Sequence, residues 1–310
     1  MPQQVHVLPL ETINKMEQFY KKMLTSTPQG AIFRAKNSNA VITAYKSGKV
    51  LFQGATPESE ANKWVSGTTS STGAKRQQKK VSSIFTPPTT LFTSNHIGSD
   101  EAGTGDYFGP ITVACAYVEK HQIEQLKSIG VKDSKDLKDP MIKKLSKEII
   151  KLQIPYSLLI LHNEKYNHLQ KQGWSQGKMK AMLHHHAINK LLNKIGDAPL
   201  NGILIDQFCD PSVYKRHIAS EQASLANDTY FMTKAESYSI AVAAGSIIAR
   251  TSFVNEMDNL SEKAGMLLPK GASKKVDQTI AKVMNEKGET YLNTCAKTHF
   301  ANTIKARAYL

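Results

Sequence analysis

The chain has 310 residues, of which 40% are hydrophobic, and it carries a net charge of +14 at pH 7. This length and apolar content suffice for one large or two smaller domains with buried cores, and they exclude a disordered chain. The sequence has no run of about 18 apolar residues and no basic N-terminal segment followed by an apolar one, so we expect a soluble cytoplasmic protein without a membrane span or secretory signal.

The positive charge predicts a polyanionic partner, because Lys and Arg displace the counterions condensed on a phosphate backbone. Residues 1–90 hold 12 basic against 4 acidic residues, so the excess is greatest there. A role in solubility alone is the alternative. Cys115, Cys209 and Cys295 lie far apart without metal-ligand spacing, which indicates buried thiols in a reducing compartment.

Residues 1–65 predict a small α+β domain. Apolar residues at helical spacing indicate a helix over residues 10–24, and Pro57 with the acids after it indicates the start of a second helix. Between them, the segments "AIFRA", "AVITAY" and "KVLFQG" predict strands joined by polar turns. Residues 66–90 contain much Ser, Thr, Gly and Lys, so we expect a flexible basic linker there.

Residues 91–310 predict an α/β domain. Strands are expected at residues 112–118, 156–162, 202–206 and 229–236. Helices are expected at residues 121–129, 140–152, 164–195 and 211–219 and over much of the remainder. Because strands alternate with helices, we expect a sheet flanked by helices.

The segment "SDEAGTGDYFGP", residues 99–110, places Asp100 and Glu101 side by side ahead of an apolar strand. Adjacent residues in a regular strand point to opposite faces. The two acids can therefore share one site only if the backbone leaves strand geometry between or just after them. Gly103 and Gly105 would permit such a change.

Two further carboxylates stand where apolar segments end. Asp206 closes "GILID", and Glu236 lies in "TKAESYSIAVAAGSIIAR" at the junction of a strand and a helix. Singly, each also suits a helix cap or a helix N-terminus. Together with Asp100 and Glu101 they would converge at one sheet edge and repel unless a cation held them. Two divalent cations about 4 Å apart can bind an attacking water and a leaving oxygen, which predicts metal-dependent phosphoryl transfer.

These motifs and "VKDSKDL", in this order, resemble the bacterial ribonuclease HIII family, a relative of ribonuclease HII in the ribonuclease H superfamily. The resemblance extends from about residue 94 to the C-terminus. Thr104, where ribonucleases HII usually carry arginine, points to HIII. The resemblance implies a ribonuclease H-like fold and the metal set Asp100, Glu101, Asp206 and Glu236. It also implies endonucleolytic hydrolysis of the RNA strand of RNA/DNA hybrids with two Mg²⁺ or Mn²⁺ ions, leaving 5′-phosphate and 3′-hydroxyl ends.

Three loops offer candidate substrate contacts. Glycines allow backbone groups to approach ribose 2′-hydroxyls, whereas hydroxyl and ammonium groups suit phosphates. A solvated polar loop is the alternative for "DSK" and for "LPKGASKK". The candidates are Gly103, Thr104, Gly105, Ser134, Lys135 and Lys270. We assign no metal to "HHH", residues 184–186, because consecutive helical residues point in three directions.

The segment "AVITAYKSGKVLFQGATPESEANK" resembles one half of the TATA-box-binding protein fold, a curved antiparallel sheet with helices on one side. This resemblance implies that the N-terminal domain binds substrate. The basic candidates on or beside its strands are Arg34, Lys36, Lys46 and Lys49. Its aromatic residues suit a stacking platform or a core equally well: Phe33, Tyr45 and Phe52.

We therefore expect a monomeric two-domain ribonuclease that binds an RNA/DNA hybrid and needs no obligate protein partner. A DNA-directed nuclease such as a junction resolvase is one alternative, but it has no need for a 2′-hydroxyl reader such as Gly103–Gly105. A non-catalytic binding protein on the same scaffold is the other. The complete set of four acids argues against it.

Overall fold

A computed structural model describes residues 3–28, 30–65, 84–133 and 137–310. The chain forms two compact units, Met1–Lys79 and Lys80–Leu310. Most of the predicted linker, residues 66–83, lies outside the described residues, so the boundaries 1–65, 66–90 and 91–310 stay a prediction. None of the helices in the described part of the chain has the length and apolar character of a membrane span.

The N-terminal unit contains a four-stranded antiparallel sheet with the order β1-β4-β3-β2. Its elements are β1 (Gln3–Val7), α1 (Leu10–Phe19), β2 (Ala31–Lys36), β3 (Ala40–Tyr45), β4 (Lys49–Gly54) and α2 (Pro57–Val65). The three predicted strands and both helix starts are confirmed. The first helix ends at Phe19 rather than near residue 24, because a 3₁₀ turn follows it. β1 escaped prediction because its apolar side chains, Val5 and Val7, are exposed and form no core pattern.

The two faces of this sheet differ. Phe33 and Phe52 are buried with the α1 residues Ile13 and Met16, so these two aromatics belong to the core. Alternation along a strand places Arg34 on the opposite face, where it pairs across the sheet with Thr43. Lys36, Val41, Gln53 and Gln3 form a second cross-strand row on that opposite face.

The C-terminal unit contains a five-stranded mixed sheet with the order β7-β6-β5-β8-β9. The strands are β5 (His96–Ala102), β6 (Ile111–Val118), β7 (Tyr156–Leu161), β8 (Ile203–Asp206) and β9 (Thr229–Met232). β5 is antiparallel to β6 and parallel to β8, and β8 is parallel to β9. This confirms the predicted α/β class with a mixed sheet flanked by helices. β9 stops four residues before the predicted strand end, so Glu236 lies outside the sheet.

Helices cover both faces of this sheet: α3 (Ile123–Ser128), α4 (Asp139–Lys151), α5 (Asn163–Lys171), α6 (Gln176–Ile195), α7 (Pro211–Ala219), α8 (Ile240–Ala264), α9 (Lys274–Lys287), α10 (Leu292–Cys295) and α11 (Asn302–Ala306). The predicted helical region 164–195 is two helices, because Ser175 caps a new one by accepting a hydrogen bond from the Lys178 N–H. Cys115 and Cys295 are buried as predicted, whereas Cys209 is partly exposed.

Small residues bring α8 very close to the central strands. A Cβ atom on Gly245 would lie 3.0 Å from the Ala114 carbonyl oxygen and 3.1 Å from that of Gly98. On Gly98, a Cβ would overlap the backbone of Ala241 and Val242. The start of α8, which follows Glu236, therefore lies directly against the strand that carries Asp100.

Candidate active site

Asp100 and Asp206 stand on neighbouring parallel strands. The register pairs Ser99 of β5 with Ile205 of β8, so the next residue on each strand is one of these acids. Asp206 is also the last residue of β8. The two carboxylates are therefore side by side at the carboxyl edge of the sheet, where loops from several strands converge.

Glu236 joins them from a 3₁₀ turn, Ala235–Ser237, between β9 and α8. The turn is fixed to β8, because the Ala235 N–H donates a hydrogen bond of 2.7 Å to Oδ1 of Asp206. One carboxylate oxygen from each of Asp100, Asp206 and Glu236 lies within 4.8 Å of the others. Asp100 is only 8% exposed and Glu236 only 3%. Three of the four predicted acids thus form one compact, largely buried cluster.

Glu101 points away from this cluster. Both acids belong to the regular strand β5, which continues to Ala102, so their side chains lie on opposite faces of the sheet. The backbone leaves strand geometry only at Gly103, which has φ +86°. Glu101 instead contacts α6: its Oε1 accepts a hydrogen bond of 2.8 Å from Lys180 Nζ, and its Oε2 lies 2.9 Å from His184 Nε2.

The pKa values shift in opposite directions in the acidic cluster and at Glu101. Burial, reinforced by the charges of Glu101 and Asp206, raises the pKa of Asp100 well above its usual range. Burial likewise raises the pKa of Asp206 to about 6, with Glu236 and Glu101 adding repulsion. Burial opposes ionisation of Glu101 too, but the contacts with His184 and Lys180 outweigh it and lower its pKa.

The cluster is suited to a divalent cation. Its donors are carboxylate oxygens, which Mg²⁺ and Mn²⁺ prefer. The pKa values of Asp100 and Asp206 are raised first by burial and then by repulsion between the carboxylates, and a cation would offset both costs of ionisation. Asp100, Asp206 and Glu236 together can hold such an ion. Glu101 lies beside them on the neighbouring face, already neutralised by α6.

The Gly103–Gly105 segment follows β5 directly. Gly103 has no room for a side chain, because a Cβ would meet the Pro110 carbonyl oxygen and lie 2.7 Å from the Phe253 ring. The Thr104 carbonyl oxygen accepts a hydrogen bond of 3.1 Å from Gln176 Nε2 of α6, and Gly105 is exposed. This segment leaves the catalytic strand in a defined conformation with its backbone accessible at Gly105.

The basic candidates have different environments. Lys270 forms an ion pair with Asp139, the first residue of α4, and Arg250 lies 3.4 Å from the same carboxylate. Ser134 and Lys135 lie outside the described residues. The residue before them, Asp133, accepts a hydrogen bond of 2.9 Å from Ser237, the neighbour of Glu236. Asp133, the described residue of "DSK", therefore contacts the turn that carries Glu236.

Sequence reasoning missed the partners of Glu101. Lys180 and His184 lie four residues apart on α6, so they share one helix face, and this spacing was a usable signal. His184 is buried and its Nδ1 lies 2.7 Å from Ser99 Oγ, whereas His186 is exposed. The histidine run therefore points in different directions, as predicted, but one member contacts a predicted site residue.

Comparison with known families gives two matches. A family described as Ribonuclease HII matches residues 97–303, and one described as a domain of unknown function (DUF3378) matches residues 3–79. The chain is 62% identical over 310 residues to Ribonuclease HIII of Oceanobacillus iheyensis, covering 100% of both chains. It is 51% identical over 309 residues to Ribonuclease HIII of Bacillus subtilis, covering 99% of this chain and 97% of that one.

Among solved structures, the chain is similar to Bst-RNase HIII in complex with Mn²⁺. The TM-score is 0.69 at 42% sequence identity, and the match covers 99% of this chain and 98% of the other. Both units of the chain are included in this coverage.

Proposed function

The chain belongs to the ribonuclease HII family and is an endoribonuclease that hydrolyses the RNA strand of RNA/DNA hybrids; we propose that Asp100, Glu101, Asp206 and Glu236 carry out this reaction. The products are a 5′-phosphate and a 3′-hydroxyl. The observation that carries the proposal is the 4.8 Å cluster of carboxylate oxygens from three separate elements.

The enzyme uses Mg²⁺ or Mn²⁺, and we propose that Asp100, Asp206 and Glu236 supply the ligands. Two ions held there would supply a lower pKa for the attacking water and stabilisation of the charge on the departing 3′-oxygen. Asp206 also orients the turn that carries Glu236, through its hydrogen bond with the Ala235 N–H. Glu101, the fourth acid of the predicted metal set, lies on the opposite face of β5 and contacts Lys180 and His184, so its role as a metal ligand stays a prediction.

Gly103, Thr104 and Gly105 are proposed to distinguish RNA from DNA. Their backbone leaves β5 two residues after Glu101, so a ribose placed at the acidic cluster would be next to them. A 2′-hydroxyl can both donate and accept a hydrogen bond, and backbone amides and carbonyls offer the matching groups. The Gln176 contact with the Thr104 carbonyl supports this role by fixing the segment.

Ser134, Lys135 and Lys270 are proposed to bind phosphates of the hybrid. The side chains of Lys270 and Asp139 are 41% and 35% exposed, so water reaches both partners of their ion pair. An ion pair in this environment contributes little, so a phosphate can replace the carboxylate at small cost. Asp139 would then keep the ammonium correctly placed in the absence of substrate.

The N-terminal unit is proposed to hold the duplex, as a substrate-binding domain over residues 1–65 joined by the linker 66–90 to the catalytic domain 91–310. Support comes from the sheet face that carries Arg34 and Lys36, which is opposite to the face packed on α1. Cations on a sheet face can follow a phosphate backbone without reading its sequence.

We also propose that the enzyme acts as a monomer in the cytoplasm without an obligate protein partner. Each unit has its own buried hydrophobic cluster, so neither needs another chain to complete its core. Light scattering coupled to size-exclusion chromatography would test the monomer; a dimer mass at micromolar concentration would contradict it.

The principal test uses four labelled duplexes: RNA/DNA, DNA/DNA, RNA/RNA and DNA with one ribonucleotide, each with Mg²⁺, Mn²⁺ or chelator. We expect the RNA strand of the RNA/DNA hybrid to be cut in a metal-dependent reaction, and the other three duplexes to be cut far more slowly or not at all. Asp206→Asn should abolish turnover and leave hybrid binding in chelator intact, because it removes a ligand but no basic surface. Cutting of DNA/DNA would favour a DNA-directed nuclease, and binding without any cutting would favour a binding protein.

A second test addresses the N-terminal unit in the full chain. Changing Arg34 and Lys36 together to Ala should raise the Michaelis constant without changing kcat, and should reduce the salt dependence of binding by about one unit of slope per residue. Lys15→Ala is the matched control, because Lys15 is exposed on α1 and pairs with Glu11. An unchanged Michaelis constant in the double variant would refute the role of this face.

A further inference from the structure

Lys297 is a fully buried lysine outside the acidic cluster. Its side chain is 0% exposed, and its Nζ donates hydrogen bonds to the carbonyl oxygens of Asp106 at 2.8 Å and Gly109 at 2.5 Å. The Pro110 carbonyl oxygen lies 3.5 Å away. All three acceptors belong to the segment between β5 and β6. The ammonium therefore binds three carbonyl groups of one loop.

This loop begins with the proposed 2′-hydroxyl reader. Gly103, at its start, packs against the Pro110 carbonyl at its end, which is one of the groups around Lys297. The backbone of the Lys297 segment adds two more contacts: the Lys297 N–H donates to the Tyr107 carbonyl, and the Gly109 N–H donates to the Cys295 carbonyl, both at 2.8 Å. The conformation of the Gly103 end thus depends on the group that holds the Pro110 end.

The same loop is joined to the Lys270 segment. Oδ1 of Asp106 accepts a hydrogen bond of 2.6 Å from the Gly271 N–H, and the Tyr107 N–H donates to the Gly271 carbonyl at 2.9 Å. Gly271 directly follows Lys270. Lys297 therefore supports both the loop beside the catalytic strand and, through it, a proposed phosphate contact.

Burial of an ammonium group carries a desolvation penalty. Burial lowers the pKa of Lys297 to about 7, and the charge of Asp106 only partly opposes this. Its neighbours include the Tyr166 ring, 5.9 Å from Nζ, and His299, whose pKa is lowered first by burial and then by the charge of Lys297. An apolar side chain of this length would avoid the desolvation penalty. What it would lack is a donor to several carbonyl groups at once.

We propose that Lys297 is a positioning residue that fixes the loop Gly103–Pro110 and thereby the ability of Gly103–Gly105 to recognise a ribose 2′-hydroxyl. The inference rests on the proposed role of Gly103–Gly105. Lys297 lies outside the acidic cluster and acts through the loop rather than by touching the substrate. Asn163 assists it, because its Nδ2 donates a hydrogen bond of 2.8 Å to the same Gly109 carbonyl.

The test compares Lys297→Met with Lys305→Met in the full chain. Methionine keeps the length of lysine but has no donor, and Lys305 is an exposed lysine of the same C-terminal segment. Fluorescence anisotropy in chelator would give the Kd values for a labelled RNA/DNA hybrid and for a DNA/DNA duplex of the same sequence. For Lys297→Met we expect the preference for the hybrid to fall about 10-fold while the DNA/DNA affinity stays unchanged.

With Mg²⁺, Lys297→Met should also lower kcat on the hybrid by about 100-fold, because a small displacement of the loop misplaces the ribose. Lys305→Met should match the wild type in both measurements. A Lys297→Met protein that keeps the hybrid preference and kcat overturns the proposal, and so does an equal loss of affinity for both duplexes.

If Lys297→Met does not fold, Asn163→Leu provides the second variant, because it removes a donor from the same carbonyl. We expect the same reduced preference for the hybrid, and a folded Asn163→Leu protein with full preference overturns the proposal. Failure of the proposed function is distinguishable, because then the wild type itself would neither prefer the hybrid nor cut its RNA strand.

Discussion

The contact between β5 and α8 leads to a specific prediction for Gly98→Ala. The new Cβ would lie 2.5 Å from the Val242 Cα and closer still to the Val242 nitrogen and the Ala241 carbonyl carbon. Carbon atoms in contact are normally separated by at least about 3.5 Å, so the overlap is about 1 Å. The opposing atoms are helix backbone and cannot rotate away. The whole start of α8 must therefore move.

This displacement should affect both stability and chemistry. Overpacking of a tight core costs up to about 3 kcal/mol, and we expect Gly98→Ala to reach that value because no flexible side chain can absorb the strain. In a unit of this size, such a loss corresponds to a decrease in Tm of about 6–12 °C. Glu236 lies just before α8, whereas Asp100 follows Gly98 on β5. A shift of about 1 Å between them should lower kcat about 100-fold.

The assay is thermal unfolding followed by circular dichroism, together with hybrid cleavage at saturating substrate. Gly177→Ala is the matched control, since its Cβ would lie 3.5 Å from the nearest atom, His217 Nε2, in the first turn of α6. This control should be neutral or more stable by about 0.5–1 kcal/mol, because alanine favours a helix. A Gly98→Ala enzyme with wild-type Tm and kcat would show that β5 and α8 do not approach as described.

Three further predictions follow from the charges. Lys180→Met should destabilise the protein by about 2 kcal/mol in urea titrations, because Glu101 keeps only its His184 contact; an unchanged midpoint would contradict the buried ion pair. Asp206→Asn should raise the Tm of the metal-free protein, because it relieves carboxylate repulsion. The variant should also lose the stabilisation that Mn²⁺ gives the wild type, about 2.7 kcal/mol at 100 times Kd. Equal increases in Tm on adding Mn²⁺ to both proteins would refute the ligand role. The pKa of Lys297 is about 7 in the folded protein and 10.5 ordinarily, so between these pH values the unfolded chain binds more protons. The free energy of unfolding of the wild type, relative to that of Lys297→Met, should therefore rise by up to about 1.4 kcal/mol per pH unit above pH 7. If the free energies of unfolding of the wild type and Lys297→Met changed equally with pH, this prediction would be refuted.

Local patterns in the sequence predicted much of the architecture. β6 is hydrophobic at every position except Thr112 and is buried along its whole length, so its composition identifies it. α7 spans Pro211–Ala219, the predicted range, because Asp210 caps it and proline suits its first turn. The acids at segment ends could also be recognised from the sequence, since parallel strands bring their carboxyl ends to one edge.

The division of the four acids needed the tertiary structure. The sequence alone left open whether the backbone changed course between Asp100 and Glu101. In the structure β5 remains regular to Ala102, and strand alternation sends Glu101 to α6. The group that neutralises it, Lys180, is 79 residues away along the chain. The spacing of Lys180 and His184 indicates that they share one helix face, but it does not encode which face of the sheet that helix covers.

Local composition and periodicity account for the chemistry available to this protein: carboxylates at strand ends, glycines after the central strand and a basic N-terminal part. The contacts that support these groups come from segments far apart in the chain and could not be read from local patterns. Lys297 lies 191 residues after Asp106, yet their contact holds the loop beside the catalytic strand. Such support depends on packing between distant segments, and the geometry of that packing is set by the whole core rather than by any segment within it.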